Sequence, residues 1–266
     1  MPALFFVLSG QQYQPNPVPE KKHKFTVIAH RGDHTIFPEN TLEGYNQAIK
    51  NEADYIEIDV RTTSDGKLVS MHDATVNRMT NGKGLVKDLT FEQVEGLKIK
   101  AKNSQDTATY RVPTFEQILK LCKNKIHVYI DFKEADAMVT NNLLKQYKME
   151  KEVLVYINKP SQFIDWRKNV PQMPLMVSLP DSAKNLQSMK NFVEQYHPDV
   201  LDGDYTGYDS AMLAYAASIN LPVWPDGQGP LESPAVWDKA IAIGLKGLQT
   251  DNPPAFVQYL KGRGLR

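Results

Sequence analysis

The sequence predicts one closed barrel of eight parallel strands surrounded by helices, the (β/α)₈ or TIM barrel. Short β-rich apolar runs alternate with segments of helical length along almost the whole chain, and eight of these runs can be parallel strands. The length of 266 residues is typical of a single domain of this class. Hydrophobic residues make up 41% of the chain, which is sufficient for a large core.

Each predicted strand is a short apolar run bounded by turn or helix signals. In chain order the strands are Phe25–Ala29, Tyr55–Val60, His127–Phe132, Val153–Ile157, Leu175–Leu179, Val200–Gly203, Pro222–Trp224 and Gly247–Thr250. Helical segments between them include Thr41–Lys50, Thr114–Lys123, Ala183–Tyr196, Ser210–Ile219 and Ala235–Ile243. The carboxyl ends of parallel barrel strands meet at one mouth, where active sites of such barrels lie.

A further β-rich run, Lys67–His72, follows the second strand after only Arg61–Gly66. The pair Asp65-Gly66 is a strong signal for a tight turn. A parallel crossover needs a dozen or more residues, so we expect this run to pair antiparallel with the second strand. The hairpin would return His72 toward the end of that strand.

Residues 73–112 contain no convincing barrel element. They are rich in Asn, Gly, Lys, Thr and Asp, with one short amphipathic helix at about Thr90–Leu97. We expect a single barrel domain over residues 25–266, with an insertion at about 61–112 above the barrel mouth. Insertions at this face commonly shape a substrate site.

Residues 1–24 are expected to form an N-terminal segment and linker. The apolar run Ala3–Leu8 is similar to the end of a signal-peptide hydrophobic region, which favours export, but it lacks the usual positively charged start. The alternatives are a numbering that begins inside a longer precursor and an ordinary apolar N-terminus. This run is far shorter than the ~20 residues needed to span a bilayer, so no stable membrane insertion is expected.

The charges of the chain balance, with 31 basic and 31 acidic side chains. The net charge near zero gives no whole-molecule reason to expect nucleic-acid binding. Any anion must therefore be bound by a local cluster of cations. The sequence does not fix an oligomeric state.

Carboxylates are the first candidates for chemistry at the mouth. Glu57 and Asp59 lie two residues apart on one face of the second strand, and Asp131 ends the third. The alternative is that they face outward into solvent, but crossover helices should cover the outer face of a parallel strand. Inward carboxylates are costly to bury without a cation, and an all-oxygen set suits Mg²⁺ or Ca²⁺.

Two histidines and two cations belong to the same end of the barrel. His30 and His72 can exchange protons near neutral pH, whereas Arg31 and Lys133 offer fixed positive charge to a phosphate. This combination is typical of phosphoryl-ester chemistry. Glycosidase chemistry would require a carboxylate pair without the cations.

Other marked residues carry weaker signals. Trp224 is predicted either to line the pocket as an apolar wall or to fill the barrel interior. His34, His127 and His197 show no partner pattern, so we expect them to have surface or core roles.

Several short motifs occur together in one order between about residues 25 and 260. They are His30-Arg31-Gly32, Pro38-Glu39-Asn40-Thr41, Glu57-Ile58-Asp59-Val60, Thr63-Ser64-Asp65-Gly66, His72-Asp73, Arg78-Met79-Thr80-Asn81-Gly82-Lys83-Gly84, Val112-Pro113-Thr114-Phe115, Asp131-Phe132-Lys133 and Thr250-Asp251-Asn252-Pro253. In these segments the chain resembles the glycerophosphodiester phosphodiesterase family. The resemblance implies a TIM barrel with a small insertion after the second strand and a phosphodiesterase that depends on a divalent metal.

By resemblance, the metal ligands are Glu57, Asp59 and Asp131, the acid/base pair is His30 and His72, and the phosphate-binding residues are Arg31 and Lys133. The chain departs from the family at Asp131, where the family usually has Glu, so the shorter side chain can alter the metal shell. It also reads Pro225-Asp226-Gly227 after Trp224, where the family usually has Thr-Val-Asn. The additional carboxylate can alter recognition of the alcohol portion.

The resulting hypothesis is metal-dependent hydrolysis of a small-molecule glycerophosphodiester to sn-glycerol 3-phosphate and an alcohol. One histidine would act as base and the other as acid, and the sequence does not assign which, nor the metal or the alcohol. A related barrel phosphodiesterase acting on lysophospholipids is one alternative. A non-catalytic phosphodiester-binding protein on the same scaffold is another.

Overall fold

The computed structural model describes residues 13–20, 22–103 and 105–266, and the run Ala3–Leu8 lies outside them. The described strands are β1 (Thr26–Ala29), β2 (Tyr55–Thr62), β3 (Leu68–Ser70), β4 (His127–Glu134), β5 (Val153–Ile157), β6 (Leu175–Ser178), β7 (Val200–Asp202) and β8 (Gly247–Thr250). They form one sheet in the order β7-β6-β5-β4-β2-β1-β8, with parallel neighbours along this path. The predicted parallel barrel is confirmed.

The barrel is closed by a segment formed by residues 222–226, which lies between β7 and β8. Val223 bridges Leu201 of β7, and Asp226 bridges Gln249 of β8, both in parallel sense. This closing segment is the predicted strand Pro222–Trp224, but it forms isolated bridges rather than a continuous ladder. Its two prolines lack a backbone N–H, which removes ladder hydrogen bonds at both positions.

Helices cover the outside of the barrel, and one short helix, Phe91–Gly96, belongs to the insertion. They are α1 (Leu42–Lys50), α2 (Phe91–Gly96), α3 (Phe115–Cys122), α4 (Ala137–Tyr147), α5 (Pro160–Asn169), α6 (Leu186–Tyr196), α7 (Ser210–Ser218), α8 (Pro234–Ile243) and α9 (Pro253–Gly262). The helices α4, α5 and α9 were not predicted from the sequence. The other helices begin and end within a few residues of their predicted positions. No helix in the described ranges is long and apolar enough to cross a membrane.

Successive side chains along each strand point alternately to the helices and to the barrel interior, so they form two apolar cores. On β2, Ile56 and Ile58 face outward into the large core beneath the helices, whereas Tyr55 faces the barrel interior. The interior cluster also contains Tyr129 and Trp224. Because both faces of the strands are covered, an inward carboxylate cannot reach bulk solvent except at the mouth.

The insertion after β2 has a small apolar core of its own. The hairpin is as predicted, since β3 pairs antiparallel with β2 from Val60↔Ser70 to Thr62↔Leu68. The buried side chains of the insertion are Val69, Met71, Val76, Val86, Val94, Ile99, Tyr110 and Val112. This packing holds the segments of the insertion together beside the mouth.

The described N-terminal residues lie against the opposite end of the barrel. The backbone N–H of Asn16 donates to Asp199 at 2.6 Å, and the hydroxyl of Tyr55 in the barrel interior donates to the carbonyl of Pro19 at 3.4 Å. Val18 packs against the interior cluster. The proposed division into residues 1–24 and 25–266 remains a prediction.

Candidate active site

Three carboxylates converge at the carboxyl ends of β2 and β4. Asp59 and Asp131 are direct partners in the parallel register, and Glu57 lies two residues before Asp59. Oxygens of the three lie within 4.8 Å of one another. Glu57 and Asp59 are only 2% and 1% exposed, so the alternative of solvated, outward-facing groups is wrong.

The loop after β1 holds two of these carboxylates in place. Arg31 has a left-handed backbone (φ 53°), as has Gly32 after it (φ 82°), and this turn points the Arg31 N–H at Glu57 Oε2, 2.7 Å away. Asn40, also left-handed (φ 56°), donates its side-chain amide to Asp59 Oδ2 at 2.7 Å. The amide is oriented because its oxygen accepts the hydroxyl of Tyr45 at 2.7 Å.

Asp131 and Lys133 interact closely. Lys133 Nζ hydrogen-bonds Asp131 and lies 3.3 Å from Asp59 Oδ1. The side-chain amide of Asn158, after β5, donates to Asp131 Oδ1 at 2.6 Å. Burial and the charge of Asp59 raise the pKa of Asp131 despite these partners. Burial lowers the pKa of Lys133, but Asp131 and Asp59 outweigh it and raise the pKa overall, so Lys133 stays charged.

His30 at the end of β1 is bound to Asp251 after β8. Asp251 Oδ1 accepts from Nδ1 of His30 at 2.7 Å and from Nε2 of His34 at 2.9 Å. Burial opposes ionisation of Asp251, but the hydrogen bonds from both histidines outweigh it and hold its pKa well below the ordinary value. An ionised carboxylate can only accept hydrogen bonds, so the Nδ1 of His30 carries a proton and the Nε2 is left for another group.

The β2–β3 hairpin carries His72 to the same mouth. The N–H of Met71 donates to the carbonyl of Asp59 at 3.0 Å, and Nη2 of Arg61 donates to the carbonyl of His72 at 2.7 Å. Nδ1 of His72 bonds Oδ1 of Asp73 at 2.8 Å. His72 is therefore held by an adjacent carboxylate, as His30 is.

A chain of ion pairs links His72 to Arg31, one of the two predicted phosphate-binding residues. Arg78 of the insertion donates to Asp73 at 2.7 Å and to Glu39 at 2.7 Å, and Glu39 accepts from Arg31 at 3.1 Å. The hydrogen bond from Arg78, with a further one from His72, outweighs burial and holds the pKa of Asp73 well below its ordinary value. Because the ionised Asp73 can only accept hydrogen bonds, Nδ1 of His72 carries a proton and Nε2 is left for another group.

A cavity of about 190 Å³ occupies the mouth and brings most of the predicted residues together. Six of the residues predicted for the site line it: His30, Arg31, Glu57, His72, Asp131 and Lys133. Asp59 lies just beneath, bonded to Asn40 as described. Residues that the sequence analysis did not assign to the site also line the cavity, namely Tyr129, Tyr156, Asn158, Asp202, Gln228 and Gln249.

Trp224 lies in the barrel interior and is not among the cavity-lining residues. It is 1% exposed and packs 5.3 Å from the ring of Tyr55 in the interior cluster. Of its two predicted positions, the pocket wall is therefore wrong. The physical reason is space: a Cβ on Gly247 would lie 2.3 Å from the Trp224 ring, so glycine on β8 makes room for the indole inside the barrel.

The carboxylate trio has the chemistry of a cation site. Among the described residues, Glu57 Oε1 and Asp59 Oδ1 are buried without a hydrogen-bond partner, although Asp59 Oδ1 lies 3.3 Å from Lys133 Nζ. Burial, with the charges of Asp59 and Asp131, raises the pKa of Glu57 well above its ordinary value. Oxygen atoms that are buried, unsatisfied and mutually repelling fit a hard divalent ion. His30, His34 and Asp251 also have donor atoms within 4.8 Å, but these bond to one another.

The fold and the mouth define the class of protein: a TIM-barrel enzyme with a site suited to phosphate esters. Residues 30–255 match the model of the glycerophosphoryl diester phosphodiesterase family. A glycerophosphodiester phosphodiesterase of Caldanaerobacter subterraneus subsp. tengcongensis is 35% identical over 250 residues, covering 91% of this chain and all of that protein. Human glycerophosphodiester phosphodiesterase 1 is 36% identical over 154 residues, covering 54% of this chain and 46% of the human protein.

Solved structures agree with the fold. A phosphodiesterase of Oleispira antarctica, solved in complex with the product sn-glycerol-3-phosphate, gives a TM-score of 0.78 at 19% identity and covers 89% of this chain and 96% of its own. The chain belongs to the glycerophosphoryl diester phosphodiesterase family, and it is accordingly an enzyme, a phosphoric diester hydrolase. This membership sets aside the non-catalytic alternative.

Proposed function

We propose that this enzyme hydrolyses glycerophosphodiesters to sn-glycerol 3-phosphate and a free alcohol, using one divalent cation, Mg²⁺ or Ca²⁺. The observation that carries the proposal is the shared cavity. His30 and His72, each held through Nδ1 by a carboxylate, line it together with Glu57 and Asp131. The cations Arg31 and Lys133 line the same cavity.

The two histidines divide the proton transfers of hydrolysis. A water oxygen forms the new bond to phosphorus, and one imidazole removes its proton through Nε2. The bond from phosphorus to the alcohol oxygen breaks, and the other imidazole, in its protonated form, gives that oxygen a proton. One water is consumed, and Asp251 and Asp73 each stabilise the imidazolium form of the histidine that they hold.

The cations and carboxylates of the mouth have separate roles in this proposal. Arg31 and Lys133 bind the phosphate oxygens, with the guanidinium suited to two oxygens at once. Glu57, Asp59 and Asp131 hold the divalent cation, which when bound neutralises phosphate charge and polarises the phosphoryl group. The Asn158 amide keeps the short Asp131 side chain directed at the other two carboxylates.

The first experiment is a release assay for glycerol 3-phosphate with increasing Mg²⁺ or Ca²⁺ after removal of metal by chelation. We expect activity to be lost on chelation and restored by one of these ions. Glu57→Gln should raise the metal concentration for half-maximal activity by ~10-fold or more, since a buried anionic ligand is lost. Full activity in excess chelator contradicts the metal assignment.

The second experiment replaces the histidines. His30→Ala and His72→Ala should each lower kcat by about 10²–10⁴ if they transfer protons. His197→Asn is the matched control, because His197 lies at the C-terminus of α6 in a left-handed conformation that Asn tolerates. Activity of both alanine variants within a few-fold of wild type contradicts the assignment.

A lysophospholipid substrate is the second candidate, and exposed apolar side chains near the mouth favour it. Leu231 follows the closing segment and is 85% exposed, and Ile36 follows β1 and is 57% exposed. Comparing kcat/KM for glycerophosphocholine and lysophosphatidylcholine distinguishes the candidates. A higher value for the lysophospholipid replaces the first proposal with the second.

A further inference from the structure

The cavity has a second acidic region formed by Asp202 at the end of β7 and Asp226 in the closing segment, which we call the acidic wall. Both residues line the cavity. In the strand order, β7 and the closing segment lie across the barrel from β2 and β4, which carry Glu57 and Asp131. A phosphodiester has two ester arms, so with its phosphate near Arg31 one arm can extend to this wall.

The acidic wall presents acceptors that are only partly satisfied. Asp202 is 3% exposed and lines the cavity; its Oδ2 accepts from the hydroxyl of Tyr129 at 3.5 Å, whereas its Oδ1 has no hydrogen-bond partner among the described residues. Asp226 Oδ1 accepts the side-chain amides of Gln228 and Gln249, each at 2.9 Å. The side-chain oxygen of Gln228 is buried and has no hydrogen-bond partner within the described part of the chain. Unsatisfied buried acceptors are costly, so a group that donates hydrogen bonds gains affinity here.

The carboxyl groups of the acidic wall also lie apart from the fixed cations of the cavity. Within the described ranges, no lysine or arginine forms an ion pair with Asp202 or Asp226. Arg31 and Lys133 pair with the carboxylates on the other side of the cavity. Burial raises the pKa of Asp226, and this effect outweighs the hydrogen bond from Gln228 and the charge of His30. Arg31 and Lys133 thus lie on the side of Glu57, Asp59 and Asp131, whereas the acidic wall lies on the other side of the cavity.

We propose that the acidic wall binds the primary ammonium group of an amino alcohol esterified to the phosphate, which makes the preferred substrate a zwitterion such as sn-glycero-3-phosphoethanolamine. An ammonium group provides three N–H donors for the unsatisfied acceptors, and its positive charge would stabilise the ionised form of the two carboxyl groups. A neutral polyol supplies donors without charge. A quaternary ammonium supplies charge without N–H donors. This inference rests on the proposed function of the site.

The wild-type enzyme tests the preference directly. The kcat/KM for sn-glycero-3-phosphoethanolamine should exceed the values for the choline and glycerol diesters by at least about tenfold, the effect of one charge-assisted hydrogen bond. Equal values for the ethanolamine and choline diesters overturn recognition through N–H donors. Equal values for the ethanolamine and glycerol diesters overturn recognition of the charge.

Isosteric variants of Asp202 and Asp226 test whether the acidic wall causes the preference for the ethanolamine diester. Asp202→Asn and Asp226→Asn remove one ionisable carboxyl group each at constant size, and each should reduce the ethanolamine preference to within about threefold of the glycerol diester. Asp181→Asn is the matched control, since Asp181 lies after β6 with its side chain 93% exposed and should keep the wild-type preference. Variants that lower kcat/KM equally for all three diesters overturn the inference. Thermal unfolding of each variant identifies any loss that comes from misfolding.

A binding measurement distinguishes a failure of the acidic wall from a failure of the proposed function. Calorimetric titration of the His72→Ala variant with the same three diesters requires no turnover. Tighter binding of the ethanolamine diester, with no hydrolysis by the wild type, supports the acidic wall and contradicts the proposed function. Hydrolysis of all three diesters with equal binding supports the proposed function and overturns the acidic wall.

Discussion

Asp251 joins two histidines that lie on either side of one carboxylate oxygen. His30 was expected to transfer protons, whereas His34 was expected to have a surface or core role. Their shared partner gives His34 an indirect part in the site, since its hydrogen bond helps to orient Asp251. His34 is therefore a positioning residue in the proposed mechanism.

Replacing Asp251 should affect catalysis far more than replacing His34. Asp251→Asn removes the anion that holds the proton on Nδ1 of His30, so we expect kcat to fall by roughly 10²-fold or more. His34→Ala leaves the bond between His30 and Asp251 intact and should cost less than about fivefold. Steady-state kinetics of the two variants across pH measure this difference. Equal losses would show that Asp251 acts only through general stability.

The surroundings of Asp131 are only partly encoded in local motifs. The departure at Asp131 was visible in the sequence, but its partner Asn158 was not, because an asparagine after a strand carries no distinctive pattern. The hydrogen bond between them spans 27 residues of chain. It depends on β4 and β5 being neighbours in the sheet.

At the scale of elements, the insertion contributes a structural link as well as a cover. Arg78 bonds Asp73, which holds His72, and Glu39, which bonds Arg31. One exposed arginine thus connects both sides of the proposed site. The small apolar core of the insertion fixes the backbone from which Arg78 extends.

Arg78→Ala should lower kcat/KM by about 10-fold while leaving the fold intact. The loss follows because Asp73 and Glu39 lose their common partner, and small displacements of catalytic groups are costly. The free energy of unfolding should change by less than about 1 kcal/mol, since the ion pairs are largely at the surface. Kinetics and thermal unfolding test this, with Lys83→Ala in the same insertion as control. Identical kinetics for the two variants would remove the insertion from the site.

Helices with clear local signals were predicted, and others were not. The helix α3 begins after Thr114, whose side chain accepts from the N–H of Gln117 while Gln117 bonds back to Thr114, a capping box readable from sequence. The helix α4 contains Thr140 and Asn141, which are poor helix formers. Both are buried against the barrel, so tertiary packing outweighs local propensity there.

At the scale of the whole molecule, buried carboxyl groups set how stability depends on pH. Burial and the charge of Asp226 raise the pKa of Asp202 well above its ordinary 3.8. The folded protein therefore holds this proton more tightly than the unfolded chain. The contribution of Asp202 is fully present at low pH and is lost as the pH rises above about 4. Asp73 and Asp251 have lowered pKa values, so their contributions are lost as the pH falls below about 4.

The free energy of unfolding of the Asp202→Asn variant should fall less than that of the wild type as the pH rises from about 5 to about 8. In metal-free buffer, the variant should lose at least about 1 kcal/mol less free energy of unfolding than wild type over this range, since one pKa unit corresponds to ~1.4 kcal/mol. Chemical denaturation at both pH values measures it, and Asp181→Asn should behave as wild type. An unchanged pH dependence in the Asp202 variant would mean that this carboxyl titrates as in the unfolded chain.

The sequence alone determined the barrel class, the hairpin that carries His72, and the convergence of Glu57 and Asp131, because strand alternation, turn residues and strand ends are local properties. The tertiary structure decided which distant side chains meet. His34 and Asp251 are 217 residues apart and become partners only because closing the barrel makes β1 and β8 neighbours. The acidic wall arises in the same way, since the bridges of the closing segment to β7 and β8 bring Asp226 to the cavity that Asp202 lines.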